Sequence, residues 1–196
     1  DEERQHFLLD NLADHMVMSK LACGGSAANT VISLSQFGGK SFFSCKVADD
    51  KNGHFYMQDL ADNGVDHNAH AQISEGITGK CLVMITDDAE RTMNTFLGTS
   101  TELSSTDLDG DAIADSEYLY IEGYLVTGDS AKQAAIEAVE IARQAGTKIA
   151  LSLSDPGIVE FFRAGLQEIA GPGIDLLFCN EQEALNWCET DNIDQA

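Results

Sequence analysis

Short apolar runs alternate with segments of helical periodicity along most of this chain. Runs of about four to eight apolar residues are typical of buried strands, and their alternation with helices favours a parallel sheet covered on both faces. We therefore predict an α/β fold, a mostly parallel sheet with helices on both faces. The predicted strands are 17–23, 41–48, 118–125, 147–154 and 174–180, and the predicted helices are 1–14, 27–37, one within 49–64, 130–145, 157–170 and one that starts at 180.

The pattern changes between residues 79 and 98. Two β-rich runs, 79–86 and 91–97, are separated only by the short segment 87–90, which has the composition of a turn. This spacing predicts a β-hairpin. Because no helix separates the two runs, we expect a small antiparallel flap beside the parallel sheet.

Composition narrows the class of protein. The chain has 196 residues, of which 43% are hydrophobic, enough for one globular domain. Its 33 acidic and 11 basic residues give a net charge of -22, which argues against a nucleic-acid or anionic-membrane partner and predicts a solvated acidic surface. Five cysteines without a C-x-x-C pair indicate buried free thiols in a reducing compartment, and the acidic, amphipathic start is unlike a signal peptide. We expect a cytoplasmic protein.

A glycine turn opens the second predicted helix, in the stretch GGSAANTVISLSQFGG at 24–39. Gly24 and Gly25 let a ligand approach the backbone, and the Asn29 amide beside Ser26 offers both a donor and an acceptor, as a polyhydroxylated ligand requires. A dinucleotide fingerprint would need glycine at Asn29, and a Walker A loop would need glycine at Leu34. The turn is therefore either a binding site or a plain strand-to-helix connection, and the pattern leaves both open.

Polar residues follow two further predicted strands. In open α/β sheets ligands bind beyond the carboxyl ends of the strands, so Glu122 could hold a hydroxyl pair, or it could simply end its strand. Asn180 and Glu183 lie three residues apart at a helix start, where they could position magnesium through water. An asparagine N-cap with acids that complement the helix dipole explains the same residues.

Two other patterns do not support a site. His67 and His70 form an H-x-x-H pair in a polar segment without an acid or cysteine at ligand spacing, so we expect exposed loop histidines there. Ser152 and Ser154 lie on a predicted strand without a G-x-S-x-G elbow, which leaves nucleophilic hydrolysis without support.

Taken together, the segments resemble the ribokinase-like (PfkB) carbohydrate kinase family, which includes ribokinase, fructokinases and adenosine kinase. GGSAANTVISLSQFGG is similar to the family's first signature and NEQEA to its N-x-x-E motif. KVADDKNG is similar to V-G-D-D-x-x-G, with Ala48 in place of a glycine. The segment 79–98 resembles the family's lid hairpin, to which 17–23 would contribute a strand.

The resemblance implies an ATP-dependent kinase that transfers the γ-phosphate to a primary hydroxyl of a sugar or nucleoside, with magnesium as its metal. It also implies roles for particular residues. Substrate contacts would come from Gly24, Gly25, Ser26, Asn29, Glu122 and the lid residues Arg91 and Asn94. Asn180 and Glu183 would organise magnesium and the phosphates without ligating the metal directly. A homodimer through the lid is a further expectation from the resemblance.

The chain also departs from the family pattern. It begins with a helix where the family has a strand that carries a sugar-binding Asp, and no G-A-G-D segment, the family's source of the catalytic base, occurs in it. We therefore expect residues 1–196 to form a partial ribokinase-like domain, truncated at both ends, that binds substrate and carries the lid but no catalytic residue. The alternative is a non-catalytic sugar-binding or regulatory protein that keeps only this half of the fold.

Overall fold

The computed structural model describes residues 2–15, 20–67 and 75–196. The chain divides into two compact units. Among the residues described, those up to 101 form the first unit and those from 102 onward form the second.

The first unit contains three helices, a parallel strand pair and a hairpin. Its core lies where buried Cys45, Leu60 and Val65 pack against Val31 and Phe43. The elements are α1 (Glu2–Leu12), α2 (Ser26–Gln36), β1 (Ser41–Phe43), α3 (Lys51–Asp62), β2 (Val65–His67), β3 (Thr78–Ile85) and β4 (Arg91–Gly98), with a 3-10 turn at Ala13–His15.

The strands β1 and β2 pair in parallel, with Ser41 opposite Val65. The pattern did not predict β2, because its sequence VDH contains only one apolar residue. His67 therefore lies in a strand and is half-buried, so the expectation of an exposed loop histidine is wrong for this residue. His70 lies outside the described residues.

The predicted hairpin is confirmed. The strands β3 and β4 pair in antiparallel register from Thr78 opposite Gly98 to Ile85 opposite Arg91. The side chain of Gln5 on α1 donates hydrogen bonds to the carbonyl oxygens of Lys80 and Asn94, at 3.2 and 2.6 Å. One glutamine on α1 thus contacts the backbone of both strands.

The Asp50 carboxylate ties the start of α3 to the start of the hairpin. Its Oδ1 accepts hydrogen bonds from the Gly53 amide and the Thr78 hydroxyl, each at 2.7 Å, and its Oδ2 accepts the Thr78 amide at 2.9 Å. The Thr78 hydroxyl oxygen in turn accepts the Ala48 amide at 3.0 Å. Asp50 is therefore the N-cap of α3, and it also anchors β3.

The second unit is a three-stranded parallel sheet covered by helices. The order is β5-β6-β7, and buried Val139, Leu151, Leu153, Leu166 and Ile169 form the centre of its core. The elements are α4 (Gly110–Ala114), β5 (Tyr118–Glu122), α5 (Asp129–Ala145), β6 (Lys148–Ser152), α6 (Pro156–Ala170), β7 (Leu176–Phe178) and α7 (Glu181–Cys188), with 3-10 turns at Ser105–Asp107, Gly123–Thr127 and Ile193–Gln195 and another at the boundary of the units, Thr99–Glu102.

Several strand predictions need correction. The strand predicted over 41–48 comprises only Ser41–Phe43, the residues that pair with β2, and the one predicted over 174–180 comprises only Leu176–Phe178. Residues 17–19 of the predicted strand 17–23 lie outside the described residues, and 20–23 form no strand, since the Cys23 amide donates to the Asp59 side chain instead of a neighbouring strand. The strand predicted to end at 125 ends at Glu122, because its partner β6 ends opposite it at Ser152.

The cysteine prediction is also wrong in part. Cys45 is buried and Cys23 is half-buried, but the other three thiols are exposed. Cys81 lies at an outward position of β3, Cys179 lies between β7 and α7, and Cys188 is the last residue of α7.

Replacing Asp50 with alanine should lower the free energy of unfolding by about 1–3 kcal/mol. The substitution removes the acceptor of the Gly53 amide at the start of α3 and of the buried Thr78 hydroxyl. Burial raises the pKa of Asp50, but hydrogen bonds from Thr78 and from the amides of Gly53 and Asn52 outweigh it and hold the pKa below its ordinary value. The stabilisation is therefore present above the ordinary aspartate pKa and is lost as the pH falls through the lowered one.

Urea unfolding of wild type and Asp50→Ala, from neutral pH down through the lowered pKa of Asp50, checks the prediction. The difference in free energy of unfolding between the two proteins should narrow in acid. Asp49→Ala is the matched control, because the side chain of Asp49 is exposed and pairs with the exposed His54 at 3.1 Å. An Asp49→Ala loss as large as that of Asp50→Ala, or a gap that does not change with pH, would contradict this assignment.

Candidate functional site

The glycine turn before α2 is open. Gly25 is the residue before the helix and has φ 103° and ψ 147°, a conformation that side chains other than glycine rarely adopt. Among the residues that the structure describes, no side-chain hydrogen bond caps this end of α2, and a Cβ added at Gly24 or Gly25 would meet nothing within 4 Å. Asn29 is exposed one turn into the helix. The predicted residues therefore border open space from which a ligand can reach the backbone.

Helix α3 fixes this turn through two side chains that the sequence did not single out. The Asp59 carboxylate accepts the Cys23 amide at 2.8 Å, and the Tyr56 hydroxyl donates to the Gly24 carbonyl at 3.1 Å. In the sequence, the only indication of this role is that Tyr56 and Asp59 lie three residues apart on one face of an amphipathic helix. The same spacing is equally typical of residues that face the core.

The surroundings of the Cys23 thiol in this turn disfavour its thiolate form. Burial, and then the negative charge of Asp59, raise the pKa of Cys23 to about 12. The thiol donates to the Tyr56 carbonyl at 3.6 Å. Because the thiolate is the reactive form, Cys23 serves here as a packing residue.

The predicted lid residues Arg91 and Asn94 lie on opposite faces of β4. Asn94 is opposite Leu82 and half-buried, whereas Arg91 is opposite Ile85 and exposed. The period of two along a strand separates residues three positions apart in this way. Only one of the two side chains can therefore face a ligand on a given side of the hairpin.

In the second unit, Glu122 is a buried carboxylate at the carboxyl end of β5. Its side chain is 6% exposed. Oε1 accepts the Tyr120 hydroxyl and Oε2 accepts the Ser154 hydroxyl, each at 2.9 Å. A carboxylate that leaves water needs such partners, and these two hydrogen bonds hold Glu122 in a defined orientation.

Tyr124 lies among the groups that follow the three parallel strands. Its hydroxyl donates to the Ser154 carbonyl at 3.3 Å. Partial burial, followed by the negative charges of Asp155, Glu122 and Glu183, raises the pKa of this phenol. These carboxylates follow β6, β5 and β7 respectively, so the carboxyl ends of the strands bring their polar groups together.

Asn180 and Glu183 form a capping box at the start of α7. The Asn180 side-chain oxygen accepts the Glu183 amide at 2.9 Å, while the Glu183 carboxylate accepts the Asn180 amide and side-chain nitrogen at 3.1 and 2.7 Å. Glu183 is 5% exposed. The geometry shows the N-cap that the pattern had left as one of two alternatives.

The described segments contain no group of three or more His, Cys, Asp or Glu side chains arranged to hold a metal ion. Within them, no helix is long and apolar enough to cross a membrane.

The fold and the strand-end groups together define an α/β protein of the kind that binds small ligands at the carboxyl edge of a parallel sheet. Residues 5–196 match the family described as pfkB family carbohydrate kinase, and the chain belongs to that family.

Relatives of known structure share the fold along nearly the whole chain. A probable sugar kinase from Rhizobium etli is 33% identical with a TM-score of 0.88, over 100% of this chain and 58% of that one. Adenosine kinase from Sinorhizobium meliloti is 36% identical with a TM-score of 0.85, over 95% and 57%. The predicted ribokinase-like α/β fold with a small antiparallel sheet is thereby confirmed.

Among curated relatives, fructokinase-1 of Zea mays is 30% identical over 141 residues, which are 71% of this chain and 43% of that protein. A 5-dehydro-2-deoxygluconokinase of Geobacillus kaustophilus is 29% identical over 133 residues, 66% of this chain and 40% of the relative. The matched segments thus cover about two fifths of the length of these curated relatives.

Proposed function

We propose that this chain is the substrate-binding and lid portion of an ATP-dependent kinase that phosphorylates a primary hydroxyl of a sugar or nucleoside. The observation that carries the proposal is the open Gly24–Gly25 turn, held by α3, in a member of the pfkB family. Relatives named as fructokinase, sugar kinase and adenosine kinase support this substrate class.

In this proposal the glycine turn binds the substrate hydroxyls. The backbone of Gly24 and Gly25 is accessible, and Asn29 and Ser26 add side-chain donors and acceptors. Since Tyr56 and Asp59 hold the turn before a ligand arrives, less conformational entropy is lost on binding.

In the second unit, Glu122 would accept a hydrogen bond from a hydroxyl of a ligand at the carboxyl edge of the sheet. Ionised carboxylates accept about four hydrogen bonds, so one oriented by two hydroxyls can still accept another. In the hairpin, Arg91 or Asn94 would contribute when the lid covers the substrate and excludes water from the transfer.

Asn180 and Glu183 fit an indirect role toward Mg²⁺ and ATP. Both oxygens of the Glu183 carboxylate are engaged by Asn180, which suits contact through water better than direct coordination. Bound Mg²⁺ would neutralise charge on the transferring phosphoryl group. Because no G-A-G-D segment occurs in these 196 residues, the proposal assigns the catalytic base to residues outside them.

We further propose that the protein is cytoplasmic, where free thiols such as the exposed Cys81, Cys179 and Cys188 stay reduced. A homodimer through the hairpin is proposed on the exposed apolar side chains of one hairpin face, which are Val83, Ile85, Met93 and Leu97. An apolar sheet face of this kind is typical of a protein interface.

The substitution Met93→Asp should dissociate this dimer, because it places a charge in the apolar face. Sedimentation velocity of the full-length protein measures the effect. Thr92→Asp is the control, since Thr92 is also exposed but points to the other face of β4. A wild-type protein that sediments as a monomer, or dissociation by both variants alike, would argue against the proposed interface.

Replacing Asn29 with alanine in the full-length protein should raise KM for the phosphoryl acceptor by about 3–10-fold, the loss of one or two neutral hydrogen bonds. KM for ATP should stay unchanged, because Asn29 is assigned to the acceptor alone. Initial rates with D-fructose and with adenosine as the two trial acceptors provide the measurement.

Thr30→Ala is the matched control, because the exposed Thr30 hydroxyl donates to the Ser26 carbonyl of the same helix. Equal increases in the two KM values for Asn29→Ala, or an acceptor KM that matches the Thr30→Ala value, would remove Asn29 from the acceptor site.

A further inference from the structure

Ser154 adopts a strained backbone conformation between β6 and α6. Its φ is 70°, and the other described non-glycine residues at positive φ are Ala89, in the hairpin turn, and Glu189, at the end of α7. Ser154 is the central residue of a γ-turn, in which the Asp155 amide donates to the Leu153 carbonyl at 2.9 Å, and at positive φ this turn is rare and strained. Strain of this kind persists where surrounding contacts impose it, and it concentrates at functional sites.

The conformation places three polar groups of Ser154 on defined partners. The hydroxyl donates to Glu122 Oε2 at 2.9 Å, and the carbonyl accepts the Tyr124 hydroxyl at 3.3 Å. The Ser154 amide donates to the Ser152 hydroxyl oxygen at 3.2 Å. Ser154 thus connects the carboxyl end of β6 to the groups that follow β5.

The Ser154 contact completes the orientation of the Glu122 carboxylate. Tyr120 donates to one oxygen and Ser154 to the other, at the same distance of 2.9 Å. Two donors on different oxygens restrict rotation about the last side-chain bond of a glutamate, which is otherwise broad. Removing either donor takes away one of these two contacts that fix the carboxylate plane.

We propose that Ser154 is a positioning residue that holds the Glu122 carboxylate in the orientation in which it receives a substrate hydroxyl. The inference rests on the proposed function, since it deepens the role assigned there to Glu122. Ser154 itself touches no substrate in this account, and its backbone strain is what brings the hydroxyl to Glu122.

Two substitutions separate positioning from a purely structural role. Ser154→Ala removes the hydroxyl and keeps a side chain at positive φ, whereas Ser154→Gly removes the hydroxyl and relieves the strain. Ser154→Gly should therefore melt at a higher temperature than Ser154→Ala. Positioning predicts the same functional loss in both, because each lacks the donor to Glu122.

In the full-length protein, both variants should raise KM for the preferred acceptor, D-fructose or adenosine, by about 3–10-fold, with KM for ATP unchanged. Ser116→Ala is the control, because it removes a hydroxyl bonded only to the Ala112 carbonyl within the same unit. If KM for the acceptor rises in Ser154→Ala but stays normal in the more stable Ser154→Gly, the effect follows stability and the inference is overturned.

A crystal structure of Ser154→Ala tests the positioning without any activity. The Glu122 carboxylate should rotate away from its wild-type orientation, and an unchanged orientation would refute the role of Ser154. If the wild-type protein phosphorylates neither acceptor, the proposed function fails, and this structure still decides whether Ser154 orients Glu122.

Discussion

A buried carboxylate at the end of a parallel strand is the constraint on which the candidate site of the second unit depends. Glu122 is nearly excluded from solvent, so its charge must be met by hydrogen bonds. The hydroxyl of Tyr120, within β5, donates to one carboxylate oxygen, and the hydroxyl of Ser154, in the segment after β6, donates to the other. Ser154 makes this contact from a left-handed backbone conformation, and its carbonyl accepts the Tyr124 hydroxyl.

Carboxylates have a comparable role in the first unit. Asp50 joins the start of α3 to the hairpin, and Asp59 holds the backbone just before the glycine turn. The strongly acidic composition alone predicts a solvated surface, and it does not distinguish such residues from the others. These few carboxylates position backbone amides and hydroxyls, and the candidate substrate turn depends on one of them.

Periodicity predicted most of the fold because the strands and helices of this chain bury continuous apolar positions. The strand β2 was missed because only one of its three residues is apolar, and β5 was drawn too long because the end of its partner strand cannot be read from sequence. Such boundaries depend on pairing between segments distant in the chain.

The candidate site was predictable only where a local motif carries it. Gly24, Gly25 and Asn29 share one turn, whereas Ser154 and Tyr124 meet Glu122 only after the sheet has formed. For Asn180 and Glu183, an N-cap and a magnesium-organising pair need the same residues at the same spacing. The side-chain geometry shows that Asn180 caps α7, and the role toward ATP that we propose for Asn180 and Glu183 is an additional one.

Transfer of the γ-phosphate is the central claim, and labelled ATP tests it most directly. The full-length protein is incubated with γ-labelled ATP, Mg²⁺ and either D-fructose or adenosine, and the products are separated. The account predicts label in the phosphorylated acceptor, dependent on Mg²⁺ and absent without the protein. Binding of D-fructose or adenosine with no transfer of label would contradict it and would favour a non-catalytic binding protein.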